Sequence, residues 1–476
     1  MLMIVTFTLN SVFNLVIGLM VAKFLGPAEF GRYALAQSIG IVFNTVFIDW
    51  LRHSVTRFYK GRDETSLAIR ATLELTLGIS CILICLISGI VILAGVDFGL
   101  GLALALIAPL IGITNGLFDF TTAMLRAEFR NKPYGQVIII KNIISVILII
   151  GGAYFYQNAA IALAGLCLSI LISLASIWKY IRHPAPLITQ ASFKHIKTFA
   201  IYALPIMVAN VLIQAVPLFN RTFIAQKIGF DATGQYSLAY DLGTRIIAGI
   251  GSAIDILLLQ LAIKADHDFG RDAAKQQLSK NLTIILAVML PLCVGLWLVL
   301  PSFAEVLVPQ AFKVEFITLF EALLPGFFAY GMLFFALHQV FFLKQKTWPL
   351  GVAAGLALLI NIVGILYIHT QNPVIIAHIQ SFGMGIALIT GCYFSFKILP
   401  IRLNFRDISV TLIAVITMAG VTYFTRILPH GLVTLCTAAG IGGAVYIFIL
   451  FIFDTVGIRT KIMSLRKSKN SNRLLA

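Results

Sequence analysis

The sequence predicts an all-α polytopic membrane protein, with about 14 transmembrane helices in two parallel six-helix lobes plus two C-terminal helices. Three observations lead there. The chain of 476 residues is 59% hydrophobic and only 11% charged, with a mean hydropathy of +0.97. A soluble fold of that size needs far more charge to cover its surface. Apolar runs of 18 or more residues recur along it, each long enough to cross ~30 Å of hydrocarbon as a helix. One phrase also occurs twice, as LGPAEFGRYALA at 25–36 and as IGFDATGQYSLA at 228–239. A repeated apolar hairpin marks two copies of a larger unit, or at the least the same tight glycine turn used twice.

In chain order the spans are read near 2–22, 32–50, 71–94, 100–124, 135–155, 160–178, 201–224, 235–260, 281–301, 317–342, 349–368, 374–396, 408–425 and 432–453. Twelve is the alternative count, because the last pair carries the weakest signal. The first span is too long for a cleaved signal peptide and lacks a basic leader, so it is expected to stay in the mature protein. The loops fix the orientation. Most of the 35 Lys and Arg sit in one alternating set, among them Arg52, Arg57, Arg126, Arg130, Lys132, Lys194, Lys264, Lys275, Lys344 and Lys346, and in the tail. The opposite loops GVDFGLG and YFYQNAA contain none. By the positive-inside rule the basic set is cytoplasmic, as are both termini, which demands an even number of spans.

With both copies of the phrase in outer loops, the organisation reads as a lobe at 1–178, a cytoplasmic linker at 179–200 with Pro184 and Pro186, a second lobe at 201–396, two extra helices at 397–453 and a basic cytoplasmic tail at 454–476. Arg130-Asn131-Lys132 and Lys344-Gln345-Lys346 echo one another as the basic turn before the fifth span of each lobe.

Several function classes are excluded. The net charge of +16 is spread over short loops, not along a soluble basic stripe, so nucleic acid is not the partner. All six cysteines lie in apolar spans, with no CxxC pair, which indicates neither a metal site nor a disulfide framework. There is no GxxxxGK[ST], HExxH or GxSxG motif and no soluble domain, so the chain reads as a transporter, not an enzyme, and no cofactor is implied.

Ionisable and amide side chains inside spans are costly and mark the candidate site. Asp241, Arg245, Ser252 and Asp255 of the eighth span share an arc of ~80°. Arg245 lies near the midplane and wants an anion. It is read either as a phosphate ligand with Asp241 as its resting partner or as one half of a structural pair with Asp241. Asn210, Gln214 and Arg221 share a stripe of the seventh span, with Arg221 lining a cavity or snorkelling to the outer boundary. Asn115, Asp119, Thr122 and Arg126 share a face of the fourth span, where Asp119 is deep enough for a proton or cation site. Asn10 with Asn14, and Gln37 with Asn44, share faces of the first two spans and suit substrate contacts or interhelical hydrogen bonds. Lys141 in the fifth span lines a cavity or snorkels. Glu74, Glu321, His338 and His378 lie near span ends and are expected to meet interface water.

The turn LGPAEFGRYALAQSIG between the first two spans, and NRTFIAQKIGFDATGQYSLAYDLGTRI between the seventh and eighth, resemble the polysaccharide transport proteins. These are the Wzx-type O-antigen and exopolysaccharide flippases of the multidrug/oligosaccharidyl-lipid/polysaccharide exporter superfamily. By topology the resemblance covers most of the chain. It implies a V-shaped pair of six-helix lobes in a plasma membrane, the inner membrane if bacterial. It also implies a polyprenyl-pyrophosphate-linked oligosaccharide as substrate, moved to the outer leaflet by alternating access for cell-surface polysaccharide synthesis. Partners would be the bilayer, a polysaccharide polymerase and other glycan assembly proteins. Arg245, Arg221 and Lys141 would hold the pyrophosphate, with Asn210, Gln214 and Asn14 beside them, and Asp119, Asp241 or Asp255 would couple an ion. Asn220 stands where the family often carries Asp. The alternative is a cation-coupled multidrug-type exporter of small amphipathic molecules. A third class is a membrane scaffold for glycan assembly that transports nothing.

Overall fold

Gly26 and Gly229 set the turns on which the architecture depends. In a computed structural model of the chain, Gly26 has φ 71 and ψ 174 and Gly229 has φ 128, conformations that side chains other than glycine's resist. Each interrupts a long apolar helix and lets the chain reverse. Pro27 follows Gly26 at a first helical position, where its missing N–H costs nothing. The structure describes residues 2–59, 64–95, 98–181, 190–401, 404–457 and 459, with their side chains from 13 onward apart from those of 64, 65 and 456. The basic tail, the centre of the proline-bearing linker and the side chain of Asn10 lie outside the described residues.

Every regular element among the described residues is helical. The order is α1 Leu2–Phe47, α2 Asp49–Phe58, α3 Glu64–Leu93, α4 Gly101–Ala127, α5 Asn131–Ser145, α6 Gly151–Tyr156, α7 Ala159–Ser176, α8 Trp178–Ile181, α9 Phe193–Lys227 and α10 Phe230–Phe269. It continues with α11 Arg271–Leu307, α12 Lys313–Gly331, α13 His338–Leu343, α14 Trp348–Ile368, α15 Pro373–Ile398, α16 Phe405–Thr422 and α17 Leu432–Ile452. Single π-turns at Val146–Ile150 and Met332–Leu337 join α5 to α6 and α12 to α13. Among the described residues, thirteen helical runs are long and apolar enough to cross a membrane. The first holds the two earliest expected spans, one on each side of Gly26, so about 14 crossings stand. The chain is a multi-pass membrane protein.

Packing groups Met1–Arg245 with Leu350–Gly383, and Ile246–Pro349 with Met384–Ala476. In the first unit, Leu51, Val55, Leu73, Phe120 and Phe199 form a buried core that gathers α2, α3, α4 and α9. Small residues let the second arm of α1 approach α4 closely. A Cβ on Gly40 would stand 2.7 Å from the Ala108 carbonyl, and one on Gly112 would stand 2.9 Å from the Gly40 carbonyl. The basic-loop end of this unit is tied by Glu128, which accepts from Tyr59 Oη at 2.8 Å and pairs with Arg130 Nε at 2.8 Å and Arg70 at 3.4 Å. Burial, and then the Glu128 hydrogen bond, push the Tyr59 phenol up to about 12. Arg70 also pairs with Glu74 at 2.7 Å, so Glu74 meets an arginine and not water alone.

In the second unit, Leu298 of α11 packs with Ala414, Val415 and Met418 of α16 and with Tyr446 and Leu450 of α17. The two extra helices thus bury one face each against α11. Glu321 pairs with Arg426 at 2.6 Å, and Arg426 lies over the Trp297 ring at 4.5 Å. His338 is buried and faces Asp255 at 3.4 Å. Glu321 and His338 were expected at interface water. Their neighbours come from distant parts of the sequence, which a reading of single spans does not see. His378 is exposed.

Candidate functional site

The two copies of the repeated phrase meet each other. A Cβ on Gly31 would collide with the carbonyl of Phe230 and stand 2.9 Å from the Gly234 amide. A Cβ on Gly234 would collide with the carbonyl of Pro27 and stand 3.2 Å from the Gly31 amide. Pro27 and Phe230 are equivalent positions of the repeat, so the contact is reciprocal, first turn of helix against first turn of helix. Arg32 lies over the Phe230 ring at 5.0 Å. Glu29 pairs with Arg32 and accepts from the Ala159 amide at 3.0 Å, placing a carboxylate at the positive end of α7.

Beside this contact lies a small space of about 20 Å³ lined by Gly18, Tyr33, Gln37, Asp241 and Arg245, room for about one water. Two arginines approach it differently. Arg221 of α9 is 4% exposed and pairs with Asp241 of α10. It also donates to Ser38 Oγ and, at 3.4 Å, to the Ala34 carbonyl, and it stacks on Tyr240 at 5.6 Å. Arg221 is therefore held inside the protein. The assignment of Asp241 as the resting partner of Arg245 needs correction, because the neighbouring helix supplies a different arginine to that carboxylate.

Arg245 reaches the other way. Its guanidinium donates to the backbone carbonyl of Asn14 and lies where Gly18 leaves room, 2.7 Å from the position a Cβ would occupy. Among the described residues, no carboxylate pairs with it. Asn14 contributes its carbonyl in this contact. Lys141 is half-buried on α5, 5.4 Å from the Phe118 ring, one turn before the π-turn and within electrostatic range of both Asp119 and Arg245. Asp119 accepts from Asn44 Nδ2 at 3.3 Å. Gln214 is half-buried and makes no hydrogen bond among the described residues.

Asp49, at the start of α2, was not singled out in the sequence, although it is an acid near the end of an apolar run. It pairs with Arg52 at 2.7 Å, faces His53 at 3.5 Å and accepts from Asn210 Nδ2 at 3.4 Å. Asn210 therefore serves an acid across the α9–α2 contact. Asn220 belongs to a fully buried neutral network. Its amide donates to Gln380 at 2.9 Å and Tyr236 Oη at 3.1 Å, and it accepts from Asn361 at 2.6 Å. Tyr236 also bonds Gln380. Asp255 lies in the second unit, where it accepts from Gln339 at 2.9 Å, while Asn281 donates to Gln339 at 2.8 Å.

The fold defined by these helices is that of known lipid and drug transporters. A structure described as lipid II flippase MurJ in an inward closed conformation matches with a TM-score of 0.72 at 17% identity, covering 94% of this chain and 98% of that one. An inward-facing multidrug resistance MATE family transporter of the MOP superfamily matches with a TM-score of 0.53 at 14% identity, covering 82% and 94%. No curated protein matches the chain. Residues 20–315 match the family described as polysaccharide biosynthesis protein, and the chain belongs to that family.

Proposed function

We propose that the chain is a flippase that moves a polyprenyl-pyrophosphate-linked oligosaccharide from the cytoplasmic to the outer leaflet of the plasma membrane. The observation that carries the reading is Arg245. It is a permanently charged group within a helix that spans the membrane, bonded to a backbone carbonyl and to no carboxylate among the described residues. Such a cation favours an anionic ligand, and a guanidinium suits phosphate oxygens better than an ammonium does. Lys141 is a second basic group within electrostatic range of Arg245. The family match supports the glycan end of the substrate. The six-helix lobes at 1–178 and 201–396 are the moving bodies in this reading. Both termini and the basic loops face the cytoplasm, and a polysaccharide polymerase receives the product.

The test measures the leaflet of lipid-linked oligosaccharide in cells that depend on this protein, using an impermeant reagent at the outer face. Arg245→Ala should leave completed glycan on the cytoplasmic side while the protein accumulates normally. Arg245→Lys should retain only part of the activity. Wild-type exposure with both variants would overturn the assignment. A cation-coupled exporter is the second reading. It is favoured by the Asp119 carboxylate, which is bonded by an amide and, among the described residues, paired with no cation. Drug resistance on overexpression, lost in Asp119→Asn, would support it.

A further inference from the structure

The basic turn Lys344-Gln345-Lys346 has no part in the transport reading. It closes α13, with Gln345 at φ 53 and the Lys346 amide bonded back to the Phe341 carbonyl at 2.9 Å. Together with the start of α11 and the end of α15 it encloses a cavity of about 380 Å³. Among the described residues, its charged lining residues are Arg271, Lys275, Lys344 and Lys346, and no acid lines it. Of the four, only Lys275 has an ion-pair partner among the described residues, the exposed Asp272 at 3.1 Å. A larger adjoining cavity shares Lys275 and Pro400 and is lined also by Lys280, Asp272 and Asp407. Leu278, Val340 and Leu399 are buried together in this same end of the unit.

The echo of this turn in the first unit behaves differently. There Arg130 pairs with Glu128 and donates to the Tyr180 carbonyl at 2.7 Å. The first copy answers its arginine internally. The second leaves three cations facing a cavity, with Arg271 and Lys346 exposed and Lys344 half-buried, a concentration of like charge that attracts an anion from outside.

We propose that this cavity seats the phosphate headgroup of an anionic phospholipid. The cavity is built from the ends of membrane-crossing helices, which places it at headgroup depth. Two large aromatic side chains near in sequence to lining residues are half or more exposed, Trp348, two residues after Lys346, at 50% and Tyr393, five before Ile398, at 60%, as befits the belt where lipid headgroups begin. Lys397, next in sequence to the lining residue Ile398, lies over the Tyr393 ring at 5.7 Å. A pocket for a soluble anion has no use for that apolar skirt. Basic side chains at the membrane surface are the usual means of holding anionic lipid.

The test uses the purified full chain in detergent and measures its affinity for phosphatidylglycerol, phosphatidylcholine and inorganic phosphate. The wild type should prefer phosphatidylglycerol, with binding that weakens as salt is raised. Lys344→Gln with Lys346→Gln should weaken phosphatidylglycerol binding by roughly 30-fold, and Arg271→Gln alone, on a different helix, by roughly five-fold. The charge-conserving pair Lys344→Arg with Lys346→Arg should bind as the wild type does. Unchanged binding in both the lysine pair and Arg271→Gln, with a native size-exclusion profile, would overturn the proposal. So would equal competition by inorganic phosphate at the lipid's own concentration, which would make the ligand a soluble anion.

Discussion

Replacing Gly234 by alanine should drive the two copies of the repeated phrase apart. The new methyl carbon would overlap the Pro27 carbonyl oxygen and stand 2.8 Å from its carbon. These are backbone atoms inside a helix, so no side chain can rotate away to make room. Forcing a methyl into a packed contact costs roughly 1–3 kcal/mol. In a protein that exchanges between a form with this contact and one without it, that shifts the balance by roughly five- to 150-fold toward separation. Gly31→Ala should do the same from the other side through the Phe230 carbonyl. The double variant should cost less than the sum, since the first methyl already opens the gap. Ser237, one turn further along α10, is fully buried, and its hydroxyl has no hydrogen-bond partner among the described residues. Ser237→Cys in a background free of the six native cysteines is therefore a mild reporter. Its modification by an impermeant maleimide should accelerate within that range in Gly234→Ala. Labelling at the unmodified rate, in a variant that folds and inserts normally, would refute the steric argument.

Three other predictions follow from contacts within the same unit. Arg221→Met should destabilise the protein by roughly 3–5 kcal/mol, because it strands Asp241 beside a buried site, and Asp241→Asn in that background should recover part of the loss; thermal unfolding in detergent reads both. Asn220→Leu should cost roughly 1–3 kcal/mol for each polar group it leaves unbonded among Tyr236, Asn361 and Gln380, more than Leu introduced at an exposed position of α9, as checked by the same assay. For Tyr59, a folded-state value near 12 against an ordinary value of 10.0 means that its contribution is complete below pH 10 and is lost as pH rises toward 12. The stability gap between wild type and Tyr59→Phe should therefore be constant through neutral pH and narrow across that alkaline window, and a gap that widens there would contradict the assignment.

The helices were legible because membrane crossing demands long apolar runs, and a run announces itself without reference to its neighbours. Gly26 and Gly229 were legible as turns because few residues tolerate their backbone angles. Partner choice was not legible. Asp241 and Arg245 share a helical face in the sequence, yet a side chain from α9 claims the carboxylate, and only packing decides that. The Asn220 network draws on four separated stretches of chain, each carrying one amide or phenol that looks unremarkable alone. Asp49 was hidden for another reason. It falls at the junction of α1 and α2, where an acid reads as the ordinary end of a span, although it anchors Asn210 across the fold. Lys344 and Lys346 were visible as loop charge, but the want of an answering acid shows only in three dimensions.

The meeting of Gly31 with Phe230 and of Gly234 with Pro27 bears on how such a chain can change over generations. Each copy supplies the carbonyl that forbids a side chain on the other copy's glycine. A mutation in one copy is thus judged against the shape of its twin, and neither copy can drift alone. The likeness of the two phrases is then more than a trace of shared ancestry, because it is upheld wherever the halves must fit against each other. The rest of the chain is free of that mutual inspection and can diverge.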